Sequence, residues 1–408
     1  MIDVLVVGAG PAGLSTAAAL AKRGARVRVL DRAEAPGGVP RHSDHPGYGW
    51  RETRVLSGPA YARRLTDRAS EAGAQIDVRA TVTDLRPLPG GGAEADITAP
   101  RGRETVRARA AVLATGCRER PRSARLVPGA RPSGILTTGW LQRLVHLNHG
   151  SPGMRAVVVG AEHVSYSAVV TLAEAGCRTI AMVTDDDRHV SFSAFDVAAR
   201  TRYRFPLLTR TRILEIHGRE RVTGVTIEHE DGRRGHLECD TVVFTGNWHP
   251  ENDLAVRAGI DRDPRTHAPL VDTRARTRTA GVFAVGNLIH PASTADACAQ
   301  DGARVEGITS WLGGSPWPES WAAIDVDSPL LWSSPGLLVP GEAGPLRLQT
   351  ARGLNAPLLL SEQEGRTLWQ GRLAYIRPTR PFALPAEALA GASGPVRIRV
   401  ARSGAVMG

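Results

Sequence analysis

The first 38 residues contain the pattern that most limits what this chain can fold into. Residues 2–7, which are apolar except for Asp3, predict a buried parallel strand, and the glycine motif G-x-G-x-x-G follows at once as residues 8–13. The alanine-rich residues 14–23 predict a helix, and a second strand, residues 26–30, ends on Asp31. Strand, glycines, helix and acid therefore stand in the order of a dinucleotide-binding βαβ unit.

The glycine positions indicate how a dinucleotide would be held. Gly8, Gly10 and Gly13 allow a tight turn and let the backbone approach a pyrophosphate, whose charge lies at the positive N-terminus of the helix. The carboxylate of Asp31 can accept hydrogen bonds from the adenosine ribose. A purely structural role for the motif is the alternative. We predict a dinucleotide site in this first unit.

Composition excludes several classes of function. The 408 residues are enough for two or three domains, and no apolar run reaches about 18 residues, so no membrane span is expected. The net charge of +10 comes from scattered arginines, with Lys22 as the only lysine, so we expect no nucleic-acid partner, although attraction of anionic substrates stays open. The chain starts directly with the first strand, which leaves no room for a signal peptide and predicts a cytoplasmic protein.

The four cysteines are too far apart for a redox or metal motif. Cys117, Cys177, Cys239 and Cys298 lie about sixty residues from one another, and no C-x-x-C pair occurs. We therefore expect four small buried side chains, without a disulfide of that type and without a zinc or iron–sulfur cluster.

The pattern along the chain predicts an α/β fold with two nucleotide-binding units. Residues 155–183 repeat the strand–helix–strand order of the first unit, and the last eighty or so residues predict short strands separated by proline and glycine. We expect two Rossmann-like units, the second inserted in the first, plus a small β-rich C-terminal domain. The predicted limits are residues 1–125 and 265–315 for the first unit, 126–150 for a crossing segment, 150–248 for the second unit and 325–408 for the C-terminal domain.

The loop of the second unit departs from the glycine motif. Residues 160–165 read GAEHVS, so Glu162 stands where a glycine would let the backbone meet a pyrophosphate. Like charges a few Å apart cost roughly 1–4 kcal/mol at effective dielectric constants of about 80 to 20. Two alternatives stay open, namely weak or altered binding of NAD(P)H and a degenerate unit kept for architecture or for docking a partner. If a nicotinamide nucleotide binds, Arg188 and His189 could favour a 2′-phosphate.

The segment after Gly38 carries groups suited to proton transfer. It contains His42, Ser43, His45 and Tyr48. Because histidine titrates near neutral pH, His42 and His45 are candidate catalytic acids or bases, and Tyr48 is a candidate for stacking or hydrogen-bond donation. The H-x-x-H spacing would also suit a metal pair, but no third ligand is apparent, and we predict no metal site. A loop fixed by histidine–backbone hydrogen bonds is the remaining alternative.

Several short segments are typical of one flavoprotein family. A second glycine pair, Gly37-Gly38, follows the acid, residues 110–116 form an apolar strand that ends in Ala-Thr-Gly, and residues 279–287 form one that ends in Gly-Asn. With them the chain resembles the FAD-dependent pyridine nucleotide-disulfide oxidoreductase family, and more closely a subgroup of NAD(P)/FAD oxidoreductases without the redox disulfide. The resemblance covers nearly the whole chain, and its further segments are residues 45–49, 57–62, 250–254, 263–266 and 286–290.

The resemblance implies FAD in the first unit and hydride transfer through the flavin N5 on a small organic substrate. It implies that the segment after Gly38 lies on the flavin, with Ser43 near the position where relatives commonly have a cysteine. It also implies that Asn287, usually Asp in the family, reaches the ribityl chain and pyrophosphate, and that a helix from about Ala295 faces the flavin. The expected cofactor-binding residues are Gly8, Gly10, Pro11, Ala12, Gly13, Asp31, Arg32, Gly38, Val82, Ala114, Thr115, Gly116, Gly286, Asn287, Thr294 and Ala295.

Two kinds of function stay open at this point. The first is a free-standing FAD-dependent oxidoreductase that takes electrons from NAD(P)H or from an organic substrate. The second is a FAD-bearing electron-relay or scaffolding subunit of a heteromeric dehydrogenase, with a flavoprotein or electron-transfer protein as its partner subunit. The residues near the flavin do not identify the substrate.

Overall fold

The computed structural model of the protein describes residues 2–50, 55–378 and 380–401. It is mixed α/β, with parallel Rossmann-like sheets and a β-rich C-terminal region, and it confirms the predicted fold class. Residue 1 and residues 402–408, which the predicted domain limits include, lie outside the described residues. The domain limits themselves stay a prediction.

The first part of the chain contains both strands and helices. Residues 2–113 contain β1 (Ile2–Val7), α1 (Pro11–Ala21), β2 (Val27–Leu30), β3 (Pro46–Tyr48), β4 (Leu56–Ser57), α2 (Gly58–Glu71), β5 (Gln75–Asp77), β6 (Thr81–Pro87), β7 (Ala93–Ala99) and β8 (Gly102–Leu113). Residues 117–257 contain β9 (Cys117–Glu119), β10 (Ile135–Thr137), α3 (Thr138–Gln142), β11 (Arg155–Val159), α4 (His163–Glu174), β12 (Arg178–Val183), α5 (Ser193–Tyr203), β13 (Leu207–Leu208), β14 (Thr211–Gly218), β15 (Val222–His229), β16 (Arg234–Leu237), β17 (Thr241–Phe244), β18 (Trp248–Pro250) and α6 (Asp253–Arg257).

The remainder of the chain adds two helices and then mostly short strands. Residues 282–312 contain β19 (Val282–Ala284), α7 (Ala295–Ala303) and α8 (Glu306–Leu312). Residues 322–400 contain β20 (Ala322–Val326), β21 (Leu330–Ser334), β22 (Leu337–Leu338), β23 (Leu346–Thr350), β24 (Leu354–Asn355), β25 (Leu358–Gln363), β26 (Arg366–Arg372), β27 (Tyr375–Ile376), β28 (Phe382–Leu384) and β29 (Val396–Val400).

The first sheet runs in the order β5-β2-β1-β8-β7-β6, and β19 also pairs with β8. β1 is parallel to both β2 and β8, and β19 is parallel to β8, so the chain returns to this sheet after the second unit. Val4 and Val6 face one core cluster, whereas Leu5 and Val7 face another. Because both faces of the sheet are covered, the central strand β1 is apolar and buried from Val4 to Val7.

The second sheet is parallel and has the order β10-β17-β11-β12-β13, with β14, β15 and β16 forming a separate antiparallel sheet. One detail differs from the prediction. β10 lies inside residues 126–150, for which the sequence predicts only a crossing segment, yet it pairs with β17 in this sheet. It was not predicted because a strand of three residues shows no periodicity.

The C-terminal region has a core of its own and is fastened to the first unit by ion pairs. Arg276 Nη2 lies 2.5 Å from Glu342 Oε2. Arg347 of β23 donates to Asp301 Oδ2 of α7 at 2.5 Å, and His290 contacts that same carboxylate. The C-terminal region therefore holds helix α7 directly. None of the helices in the described residues is long and apolar enough to cross a membrane.

Helices α1 and α7 meet through a glycine. A Cβ on Gly302 of α7 would overlap the carbonyl oxygen of Ala12. Thr16 Oγ1 donates to Gly302 O at 2.9 Å across the same contact. This approach fixes where α7 lies relative to the loop before α1.

We expect Gly302→Ala to lower the free energy of unfolding by about 1–3 kcal/mol, because the clashing atom is backbone and cannot move aside. The matched control is Gly139→Ala in α3, where a Cβ would lie 3.8 Å from its nearest neighbour, an ordinary contact. Thermal and urea unfolding followed by circular dichroism measure both. A Gly302→Ala protein with wild-type stability would contradict this account of the helix contact.

Candidate functional site

The loop between β1 and α1, residues 8–10, has backbone atoms exposed where most side chains would not fit, and we call it the cradle. Gly8 has a φ of +108°, and a Cβ there would overlap the carbonyl oxygen of Ala114. A Cβ on Gly38 would lie 2.9 Å from the Cα of Gly10. A Cβ on Gly10, in contrast, would meet only the Cα of Gly38, at 4.0 Å. The structure thus brings these expected residues together, and the space beside Gly10 is open.

Helix α1 presents its N-terminus to this cradle. Gly10 is its N-cap and makes no side-chain cap hydrogen bond, and Pro11 is the first helical residue. Proline suits that position because its missing N–H would be unpaired there anyway. Gly286 packs beside the same turn, since a Cβ on it would lie 2.6 Å from the Cβ of Ala12. Uncapped N–H groups at the positive end of a helix dipole favour an anion.

Asp31 stands at the end of β2, at the edge of the cradle. Its Oδ2 accepts from Ala9 N and its Oδ1 from Ala33 N, both at 2.7 Å. Each oxygen keeps lone-pair capacity for a further donor such as a ribose hydroxyl. Ala80 N donates to Asp31 O at 2.9 Å, which places Val82 of β6 close to the same strand end.

The segment that follows β8 is held by Glu251. Thr115 Oγ1 donates to Glu251 O at 2.7 Å, and Glu251 N donates to Gly116 O at 2.9 Å. The exposed Arg32 lies 3.6 Å from the Glu251 carboxylate. Three expected cofactor residues therefore converge on Glu251, which sequence reasoning did not propose as a site residue.

The start of α7 is held by a short loop. Thr294 is the N-cap, and its Oγ1 accepts from Ala297 N at 3.3 Å. The helix begins at Ala295. Asn287 binds Ser293 on both sides of its amide, with Oδ1 accepting at 3.0 Å and Nδ2 donating at 3.1 Å. Its side chain thus positions the loop before α7 and keeps one N–H and one lone pair for other contacts.

These features fit a dinucleotide such as FAD. The cradle has room at Gly10 for a group that needs bare backbone, α1 offers uncapped N–H groups, and Asp31 offers acceptors beside them. This combination is the one that a pyrophosphate flanked by ribose requires.

The segment after Gly38 joins Ser43 to His45. Ser43 Oγ lies 2.9 Å from His45 Nε2, and His45 Nδ1 lies 2.9 Å from the carbonyl oxygen of Pro46. Because a carbonyl oxygen only accepts, Nδ1 carries the proton, and Nε2 of the neutral ring accepts from the serine hydroxyl. Gln142 of α3 donates to Ser43 Oγ at 3.3 Å and to Ser167 Oγ at 2.8 Å.

Tyr48 completes this cluster and connects it to α7. Its ring centroid lies 5.5 Å from that of His45 and 5.8 Å from that of Tyr61, and burial raises its pKa. The next residue, Gly49, donates its N–H to both carboxylate oxygens of Asp296 at 3.2 Å. Asp296 is in the first turn of α7, so the segment lies against the helix start that the sequence associates with the flavin.

His42 is placed differently from His45. It is buried, and burial together with the nearby Arg143 and Arg41 lowers its pKa to about 4. In the part of the chain that the structure describes, no partner reaches its Nδ1. His42 is therefore neutral at pH 7 and enclosed, whereas His45 is partly accessible.

The four cysteine thiols are poorly suited to acid–base or nucleophilic chemistry. All four cysteines are free, and burial raises the pKa of Cys117, Cys177 and Cys239 to about 12. Burial raises the pKa of Cys298 as well. At neutral pH these side chains are protonated thiols and poor nucleophiles.

The loop of the second unit is closed by Glu162. This residue is the N-cap of α4, and its side chain and that of Ser165 form a capping box with each other's backbone N–H. Glu162 Oε2 also accepts from Ser165 Oγ at 3.2 Å, and a Cβ on Gly246 would overlap Glu162 Oε1. Desolvation raises the pKa of Glu162. The chain's own carboxylate thus covers the helix N-terminus that a dinucleotide phosphate would need.

A second acid, Glu119, lies at the same end of the unit and was not predicted. It accepts from Gly139 N at 2.9 Å and from Gly246 N at 3.1 Å, and burial raises its pKa to about 7. Arg125 donates to Gly246 O at 3.0 Å. No sequence signal marked Glu119 or Gln142, because their partners are 20 to 127 residues away along the chain.

Comparison with known sequences identifies the protein family. The family profile described as pyridine nucleotide-disulphide oxidoreductase matches residues 2–302. An opine oxidase subunit of Agrobacterium tumefaciens (strain Ach5) is 25% identical, over 70% of this chain and 61% of its own length. The alpha subunit of sarcosine oxidase from Rhizobium meliloti (strain 1021) is 26% identical, over 82% of this chain and 34% of its own length. The chain thus spans about three fifths or less of the length of these relatives.

Comparison with solved structures agrees on the fold. Thioredoxin reductase of T. acidophilum has a TM-score of 0.64 and 21% identity, with 77% of this chain and 98% of that chain covered. The profile match and this fold confirm the resemblance inferred from the sequence and confirm FAD as the family's cofactor. The chain belongs to the pyridine nucleotide-disulphide oxidoreductase family.

Proposed function

We propose that the protein oxidises a small organic substrate by hydride transfer through the flavin N5, without a redox-active disulfide. One observation carries this proposal. The segment after Gly38, which contacts α7 through Gly49, contains Ser43, His45 and Tyr48 close together. The thiols of the chain are protonated and mostly buried. These groups suit proton transfer beside a hydride acceptor and do not suit thiol–disulfide exchange.

The residues of the first unit would hold the cofactor. The backbone of residues 8–13 and the N-terminus of α1 would bind the pyrophosphate, and Asp31 would bind the adenosine ribose. Bound FAD would supply a hydride acceptor at its N5 position. Gly286, Asn287, Thr294 and the N-terminus of α7 would border the flavin end.

His45 would take the substrate proton. The Pro46 carbonyl holds the proton on Nδ1, so Nε2 is the basic nitrogen, and the Ser43 hydroxyl keeps the ring oriented. A substrate C–H would leave as hydride to the flavin while the substrate heteroatom replaces the Ser43 hydroxyl as the hydrogen-bond partner of His45 Nε2 and gives up its proton to that nitrogen. The substrate would then be two electrons more oxidised. Tyr48 would limit how the substrate lies by packing beside the histidine ring.

The names of the relatives suggest a substrate class. Opine oxidase and sarcosine oxidase subunits both match this chain. Opines and sarcosine are amines that carry a carboxylate, and the net charge of +10 would favour such anionic molecules near the protein. We propose an amine of this class as the substrate.

A heteromeric enzyme is the second candidate. Both curated relatives are named as subunits, and this chain spans only part of each. In this case the chain would relay electrons to a flavoprotein or electron-transfer partner, or would scaffold it. Size-exclusion chromatography with the products of neighbouring genes, followed by a turnover assay, separates the two candidates. A cytoplasmic location also stays a prediction.

We expect Gly10→Val to abolish FAD binding while the fold is retained, because the new side chain enters the open side of the cradle. Gly10→Ala gives a smaller effect, and Asp31→Ala weakens binding by about ten- to hundredfold through loss of charge-assisted hydrogen bonds. Visible flavin absorbance and fluorescence titration measure the affinity. Wild-type protein that lacks flavin and takes up none when it is added would contradict the assignment.

We expect His45→Ala to keep FAD and to lower the rate of amine oxidation by about 10²- to 10⁴-fold, because the group that takes the substrate proton is lost. His42→Gln is the matched control, because His42 is enclosed and neutral at pH 7, and its effect should be smaller. Turnover is followed with sarcosine or an opine and an artificial dye acceptor. Equal activity in His45→Ala and wild type would remove the histidine from the mechanism.

We expect NADH and NADPH to reduce the flavin slowly, because Glu162 covers the N-terminus of α4. Glu162→Gly should tighten nicotinamide binding or speed reduction from about fivefold to about a thousandfold, the range set by removing a like charge. Ser165→Ala is the control, since it loosens the cap and leaves the carboxylate. Anaerobic mixing measures the rates, and rapid wild-type reduction by micromolar NADPH, unchanged in Glu162→Gly, would disprove this interpretation.

A further inference from the structure

A pocket lies between the second unit and the C-terminal region, away from the cradle. It encloses about 360 Å³, within the range of small-molecule sites. One wall comes from the segment after β12 and the start of α5, and the other from β24, β27 and the residues that follow β27. We call it the interdomain pocket, and its lining residues are Arg188, His189, Val190, Ser193, Asn355, Tyr375, Arg377 and Pro378.

Two arginines tie the walls of the interdomain pocket together. Arg188 of the second unit donates to Tyr375 Oη at 3.2 Å. Arg377 of the C-terminal region donates to Ser191 O at 3.3 Å. Each bond crosses between the two units, so the pocket has a fixed shape only while both units are in contact.

The interdomain pocket carries unbalanced positive charge. Within the described residues, no carboxylate lies within 4.0 Å of Arg377 or of the neighbouring Arg380. Asp187 lies 3.9 Å from Arg188, but both side chains are mostly exposed, and exposed pairs contribute little. Asp196 lies 3.9 Å from His189 and is bound by Tyr166 Oη at 2.8 Å.

Aromatic rings hold the guanidinium groups in place. Arg377 lies 5.8 Å from the ring centroids of both Phe192 and Tyr375, and Arg380 lies 4.5 Å from that of Phe192. Phe192 and Tyr375 are 36% and 41% exposed. A planar guanidinium held between rings loses little freedom when it binds an anion, and the exposed rings offer faces for stacking.

We propose that the interdomain pocket binds a small molecule that carries a phosphate monoester. Arg188 and Arg377 supply forked donors from opposite walls, and Ser193, Asn355 and Tyr375 supply further polar groups around the same space. A phosphate dianion has three terminal oxygens to match donors from several directions, whereas a carboxylate has two in one plane.

Glu162 separates this ligand from a dinucleotide that reaches the flavin. Arg188 and His189 follow β12, where the sequence suggests contacts with the 2′-phosphate of a dinucleotide, but Glu162 covers the N-terminus of α4, where the pyrophosphate would lie. A phosphate monoester needs no pyrophosphate site. Bound between Arg188 and Arg377, it would fasten the C-terminal region to the second unit, so the C-terminal region forms half of the binding site.

Calorimetry on the FAD-loaded, oxidised protein tests this proposal without substrate or reductant, so its outcome does not depend on the proposed reaction. The probes are AMP, ribose 5-phosphate, inorganic phosphate and succinate. We expect saturable binding of a phosphate probe, weakened about ten- to hundredfold by Arg377→Met and by Arg188→Met. Arg377→Lys should give an intermediate affinity, because it keeps the charge and loses the fork.

The matched control is Arg366→Met, which removes an exposed arginine of the same C-terminal region outside the pocket. Its affinity should equal that of wild type, and thermal melting of every variant shows whether the fold is retained. Tighter binding of AMP or ribose 5-phosphate than of inorganic phosphate identifies an organic ester, and equal binding identifies free phosphate. Absence of binding at millimolar concentration, equal binding of succinate, or affinity unchanged in Arg377→Met would overturn the proposal.

Discussion

The close approach of bare backbones around the N-terminus of α1 is the constraint on which the site depends. Gly8 lies against the strand end at Ala114, Gly286 against Ala12, and Gly302 against the carbonyl of the same alanine. Each contact excludes a side chain, and together they bring the ends of β1 and β8 and the last turn of α7 to one point. Three segments far apart in sequence thus form a single surface for a cofactor.

The two Rossmann-like units differ in whether a side chain caps the N-terminus of their first helix. In the first unit, the N-cap of α1 is Gly10, so no side chain caps the helix. The nearby acid, Asp31, binds the N–H of Ala9 instead. In the second unit, Glu162 caps α4 with its own carboxylate, and Glu119 lies at the same end. Since a helix N-terminus satisfies one anion at a time, the first unit keeps its site for a ligand and the second fills its site internally.

Local pattern predicted the parts of the site that are continuous in sequence. The glycine motif and the acid at Asp31 follow from short segments, because turn, strand and helix signals are local. The helix start at Ala295 follows from the family resemblance instead. Gln142, Glu119 and Arg377 were not predicted, because their roles come from contacts between units. The three-residue β10 was missed because it is shorter than any periodicity.

The C-terminal region connects the two nucleotide-binding units. Arg347 holds Asp301 in α7 of the first unit, and the contact of Tyr375 with Arg188 reaches the second unit. Gln142 lies in α3, directly after β10 of the second sheet, and it donates to Ser43 Oγ, which lies 2.9 Å from His45 Nε2. The orientation of the Ser43–His45 pair therefore depends on an element that is joined to the second sheet. This contact links the second unit to the segment after Gly38, although Glu162 caps the N-terminus of α4 in that unit with the chain's own carboxylate.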